Sequence, residues 1–95
     1  MFDWDPQKAR ANGLKHGVSF EEAATVFFDP EGLDGEDLDH SWDEPRRLRL
    51  AKSTLGRILV IAYTIRSPGD EETTRIISAR RANRKERKRY ETKED

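Results

Sequence analysis

Arginines at the ends of extended segments are the groups in this chain best suited to chemistry. In the sequence pattern Arg46 opens one such segment, Arg66 closes the next and Arg80 closes the third. A guanidinium forks onto two phosphate oxygens and stays protonated, its pKa lying above about 12. It therefore steadies negative charge and moves no proton. The proton carriers nearest to it in sequence are His40 and Glu44, four residues apart in His40-Ser41-Trp42-Asp43-Glu44. Cleaving an RNA phosphodiester needs these services together: a base for the 2′-OH proton, cations for the charge on phosphorus, and an acid for the leaving oxygen. A purely structural reading stands beside it. His40 is then a loop histidine, and Glu44 pairs with Arg46 in a surface ion pair worth under about 1 kcal/mol. If the second and third strands pair directly, Arg66 and Arg80 fall at opposite ends. Register offset or another strand order is needed to unite them.

Other chemistries lack their residues. The chain has no cysteine, so disulfides, thiolate metal sites and cysteine nucleophiles are excluded, and its two histidines are too few for a histidine-rich metal centre. Acids crowd residues 29–45 without EF-hand spacing. No glycine-rich phosphate loop and no local signature of a Ser-His-Asp hydrolase is present. Neither a metal nor a cofactor is expected.

Charge is segregated along the chain. The total is −1, yet residues 29–45 carry eight acids and no Lys or Arg, while residues 75–90 carry eight bases and one acid, Glu86. A basic block beside an acidic one points to a polyanion or an acidic partner. Charged residues make up 39% and hydrophobic ones 34%, so the core is small and fits one domain over residues 1–95. No apolar run approaches the roughly 18 residues of a membrane span, and no export signal opens the chain, which favours the cytoplasm.

The elements that must position these groups follow from local signals. Asp5-Pro6 caps a helix that runs to His16 and stops at Gly17. Ser19 and Glu22 have capping-box spacing for a second helix, reaching about Phe28, with Phe20, Ala23, Ala24 and Phe27 on one stripe. Residues Glu31 to Pro45 read as an acidic loop tacked down by Leu33, Leu38 and Trp42. Three strands follow. Arg46–Ser53 alternates, with Leu48 and Leu50 opposite Arg47 and Arg49. Arg57–Arg66 is apolar on both faces and belongs at the centre of a sheet. Thr73–Arg80 comes after the turn signal Ser67-Pro68-Gly69-Asp70 and places Arg80 on a face with Ile76 and Ser78. Asn83 and Glu86 cap a last, basic helix whose one anchor is Tyr90, a surface for phosphate or partner. The class is α+β: N-terminal helices, an antiparallel sheet of three to four strands with Phe2-Asp3-Trp4 as a possible edge, and a C-terminal basic helix.

Several blocks in fixed order resemble the BrnT family of toxins from type II toxin–antitoxin pairs. They are Phe2-x-Trp4-Asp5-Pro6-x-Lys8, Asn12-x-x-Lys15-His16-Gly17-Val18-Ser19-Phe20-Glu21-Glu22-Ala23, Val26-Phe27-x-Asp29-Pro30, His40-Ser41-x-x-Glu44-x-Arg46, Tyr63-Thr64-x-Arg66, Arg75-Ile76-Ile77-Ser78-Ala79-Arg80, Glu86-Arg87 and Tyr90-Glu91. The resemblance implies a RelE-like ribonuclease fold and RNA cleavage that inhibits translation. It implies neutralisation by a BrnA-like ribbon-helix-helix antitoxin, through which alone operator DNA is reached. With the strand-end arginines, it gives Arg66 and Arg80 the scissile phosphate and Glu44 or His40 the protons. Arg46, Lys52 and Arg75 then track the RNA backbone. The alternative is a non-catalytic antitoxin-binding and co-repressing subunit, or a plain RNA-binding module.

Overall fold

The computed structural model describes residues 1–37, 45–67, 69 and 71–93. Among them lie β1 (Phe2–Asp3), α1 (Pro6–His16), α2 (Phe20–Thr25) running into a 3₁₀ turn (Val26–Phe28), β2 (Leu33–Glu36), β3 (Arg47–Lys52), β4 (Ile58–Arg66), β5 (Thr73–Arg81) and α3 (Arg84–Thr92). The sheet runs β1-β5-β4-β3-β2. β4 is central, as its two apolar faces require.

The sheet has five strands, not three or four, and is mixed rather than antiparallel. β1 pairs with β5 in parallel, Phe2 beside Thr74 and Asp3 beside Arg75, whereas every other pairing is antiparallel. β2 arises within the segment read as a loop. Its sequence, Leu-Asp-Gly-Glu, has one apolar residue, and pairing with β3 supplies the order that propensity does not. Leu33 lies opposite Leu50, and Asp34 opposite Arg49 with its carboxylate 2.6 Å from Nη1. Leu38 and Trp42 lie outside the described residues.

The caps explain the helix limits. Asp5 accepts from the Gln7 N–H with Pro6 at the first position, and Gly17 closes α1 at φ 69°, a left-handed conformation that suits glycine. Ser19 accepts from the Glu22 N–H, but the Glu22 carboxylate does not complete a capping box. It takes the Arg57 guanidinium and the Ser53 hydroxyl instead. Asn83 and Glu86 form a full box at α3.

The two sheet faces differ in cover. Ala51, Leu59, Ile61, Ile76 and Ala79 pack under Val18, Phe20, Ala23 and Val26, which makes the main core. On the other face Leu50 and Val60 pack with Ala82 and Tyr90, flanked by Leu33, Leu48 and Ile58. α3 covers only part of this face. A register shift between Ala62 and Tyr63 lets β5 carry one extra residue, so Ile76 joins the main core while Ser78 and Arg80 stay on the open face. The expectation that Ile76 and Arg80 share a face is corrected by that bulge. Asn12 takes the place of a strand on the outer edge of β5, donating to the Ala79 carbonyl at 2.8 Å and accepting from its N–H at 3.1 Å. No described helix is long and apolar enough to cross a membrane.

Candidate active site on the open sheet face

Alternation along β3, β4 and β5 sends Leu48, Val60, Ala62, Ser78 and Arg80 to the face that α3 leaves bare. These residues, with Asp37, Arg46 and Ile77, line a hollow of about 370 Å³. Its floor is apolar and its rim carries two guanidinium groups and one carboxylate. A low-polarity floor strengthens the attraction between such groups and an anion. A smaller hollow of about 160 Å³ adjoins it across Leu48 and Val60, with Glu86 and Arg89 of α3 on its wall.

Arg80 is held firmly. Its Nη1 and Nη2 donate to the two Glu86 carboxylate oxygens at 2.8 and 2.9 Å, and Nη1 also reaches the Arg81 carbonyl at 3.3 Å. The same carboxylate accepts the Asn83 N–H at 2.8 Å. The hydrogen bond from Arg80 holds the Glu86 carboxyl below its ordinary value of 4.5, against the opposing effect of burial. The Glu86 hydrogen bond in turn raises Arg80.

The candidate residues separate into groups. Arg46 and Arg80 both line the hollow from either side of β4, Arg46 just ahead of β3 and Arg80 within β5. Arg66 pairs with Thr73 and Arg80 with Val60, so the two arginines share a face but stand six residues apart along the ribbon, roughly 20 Å. The register does not unite them. Arg75 lies on the same face opposite Thr64, with Nη1 3.3 Å from the Asp3 carboxylate. Lys52 closes β3 at the other end, its ammonium 6.0 Å from the Tyr90 ring centre. His40 and Glu44 lie outside the described residues. The ends of the segment that carries them are fixed: the Asp37 N–H donates to the Arg46 carbonyl at 2.9 Å, and both residues line the hollow.

Sequence reasoning missed Asp37 and the tie between Glu86 and Arg80. Asp37 follows β2 in alternation with Leu33 and Gly35, a signal hidden because that segment reads as a loop. Glu86 reads as a capping residue, and its spacing says nothing of a second partner.

The main core seals the other face with ionic ties. Burial pushes the Asp29 carboxyl up, but hydrogen bonds from the Tyr90 hydroxyl and the Lys52 and Glu31 N–H groups outweigh it and hold Asp29 below 3.8. Arg49 donates to the Val26 and Asp29 carbonyls at 2.9 and 2.6 Å, and Gly32 lies so close beneath its guanidinium that a side chain there would have to displace the guanidinium from these bonds. Tyr63 donates to Asp34 at 2.7 Å, and burial, followed by that bond, raises its phenol.

This arrangement defines a small α+β protein with an arginine-rimmed hollow on one sheet face. Residues 4–86 match the family described as "Ribonuclease toxin, BrnT, of type II toxin-antitoxin system", and the chain belongs to that family. Membership brings an antitoxin partner and an RNA substrate. A comparison with curated proteins finds no match. Among solved structures the chain is similar to the 1.1 Å crystal structure of the Brucella abortus ribonuclease toxin, BrnT, with a TM-score of 0.63 and 20% identity over 88% of this chain and 99% of that one. At that identity the likeness concerns the fold.

Proposed function

We propose that this chain is a metal-independent endoribonuclease toxin of RelE-like type. It acts as a single domain in the cytoplasm, cleaves RNA to inhibit translation, and is neutralised by a BrnA-like ribbon-helix-helix antitoxin that carries it to operator DNA. The observation that carries this reading is that Arg46 and Arg80 line one apolar-floored hollow, whose rim also bears the ends of the segment containing His40 and Glu44. In the reaction the 2′-oxygen gives its proton to Glu44 or His40 and bonds to phosphorus. The bond from phosphorus to the 5′-oxygen breaks, and that oxygen takes a proton from the other group. The products are a 2′,3′-cyclic phosphate and a 5′-hydroxyl. Arg80 and Arg46 hold the non-bridging oxygens as charge grows on them. Arg66 and Arg75, farther along the face, and Lys52, at its other end, contact flanking phosphates.

The test is expression in cells and cleavage of RNA by the purified protein, with Arg80→Ala, Arg46→Ala and Arg66→Ala alongside. Wild type arrests growth and cuts RNA, and the first two variants lose more activity than the third. A harmless wild type that leaves RNA intact, while still binding its antitoxin, supports the non-catalytic co-repressor instead.

A further inference from the structure

We propose that Glu86 is a positioning residue for RNA cleavage: it occupies one edge of the Arg80 guanidinium so that the other edge is presented to a phosphate of the RNA. The inference rests on reading the hollow as the cleavage site.

A guanidinium has five N–H groups arranged as two forks. The end-on fork is formed by Nη1 and Nη2, and the side-on fork by Nε and Nη2. In Arg80 the end-on fork is taken by both Glu86 oxygens, and the remaining Nη1 hydrogen points to the Arg81 carbonyl. Among the described residues, Nε–H and the second Nη2 hydrogen have no acceptor. Those two form the side-on fork, whose spacing matches two oxygens of one phosphate. Glu86 therefore leaves a complete recognition edge intact while stopping the guanidinium from turning.

Glu86 is itself fixed. Its backbone N–H donates to Asn83 and its carboxylate accepts the Asn83 N–H, both at 2.8 Å, so the first turn of α3 sets where the carboxylate stands. Arg80 lines the larger hollow and Glu86 the smaller one beside it. The pair thus marks the boundary between the two. Orientation of this kind matters because a small misplacement of a charge-stabilising group costs rate more than binding. The rival role for Glu86 is a competitor that repels phosphate, and it predicts the opposite sign.

Glu86→Gln separates the roles, since glutamine also serves in a capping box while the ionic fork is lost. With an RNA oligonucleotide, kcat is expected to fall about tenfold and KM to rise only a few-fold, no more than free phosphate binding weakens. Cleavage at the wild-type rate or faster overturns the proposal. Glu86→Ala removes the cap as well and controls for helix loss through its melting temperature. A second readout is independent of catalysis: the Arg80 Nε–H signal in nitrogen-15 NMR during titration with inorganic phosphate. The signal shifts in wild type, and several-fold more phosphate is needed in Glu86→Gln. Equal or tighter binding in the variant overturns the inference. A wild type that cuts no RNA strikes the functional reading alone, and the phosphate titration still decides the role of Glu86.

Discussion

On the face covered by α1 and α2, Arg57 meets the Glu22 carboxylate with Nε and Nη2 and gives a further Nη2 hydrogen bond to the Gly17 carbonyl at 3.1 Å. On the open face, Arg80 meets Glu86 with Nη1 and Nη2 and keeps its side-on edge. The chemical pair is the same, but its surroundings differ. The Glu22 side chain is 5% exposed and also accepts from Ser53 at 2.7 Å, so the pair locks the β3–β4 turn to the junction between α1 and α2. The Arg80 side chain is 43% exposed and stands on the rim of a hollow. Burial turns one carboxylate–guanidinium pair into a fastening, and exposure leaves the other able to hold a third party.

The largest effect is expected from Arg57→Ala. It strands a buried carboxylate, which costs about 3 kcal/mol. For a chain of this size that lowers Tm by more than roughly 10 °C, read by thermal denaturation. The response of Arg80 to phosphate persists wherever the variant is folded. A drop of only a few degrees would remove the distinction drawn between the two pairs.

Arg80→Ala should show the converse. Cleavage falls roughly 100-fold, the scale of losing one group that stabilises transition-state charge. Tm changes little, because both partners of the pair reach water. If Tm instead falls as far as in Arg57→Ala and cleavage survives, Arg80 is a fastening too.

These residues also show what sequence can and cannot reveal. Caps at Asp5, Ser19 and Asn83 and the doubly apolar β4 were all legible, because each depends on neighbours within a few positions. β2 was not, since Leu33 becomes a strand residue only by facing Leu50, and charge pairing of Asp34 with Arg49 takes the place of propensity. The bulge at Ala62/Tyr63 has no glycine to announce it, and it decides which face Ile76 takes. For the site, the arginines were identifiable by type, but their grouping depends on register. Arg46 joins Arg80 at the hollow, whereas Arg66 stands roughly six residues up the ribbon. The Glu22 and Glu86 pairs span tertiary contacts, and nothing in the spacing says which guanidinium each will meet.

Acid sharpens the contrast further. Glu22 lies below its ordinary 4.5, chiefly through the Arg57 hydrogen bond, with burial opposing. A carboxyl depressed in the folded state stabilises the fold above its unfolded pKa, and that stability is lost as pH falls through the folded value. Wild type should therefore weaken progressively below about pH 4.5. Arg57→Ala removes the chief cause of the depression, so its acid limb flattens. A wild-type acid limb unchanged by Arg57→Ala would mean that Glu22 contributes nothing to it.

The smallest effect concerns Tyr90, the single buried residue of α3 and the link from the partly covered face to the closed one. Its hydroxyl donates to the Asp29 carboxylate at 2.6 Å. Burial first, then that bond, pushes the phenol up to about 12. Tyr63 is raised as well, by burial and by Asp34. A phenol raised in the folded state adds stability that is present below its unfolded value near 10 and is lost as pH climbs toward 12. Neither of the two tyrosines in the chain should therefore ionise at the ordinary value, and ultraviolet titration of the folded protein should show no step there. Tyr90→Phe costs about 1 kcal/mol, since Asp29 keeps its two backbone donors, and it leaves Tyr63 as the only phenol to follow. Because α3 also carries Glu86, loosening that helix should lower RNA cleavage by a few-fold. The Arg57–Glu22 fastening should be unaffected, so the acid limb stays as in wild type. Cleavage that falls without loss of stability would show α3 acting on Arg80 alone, and a shift of the acid limb would show that the two faces are coupled through Asp29.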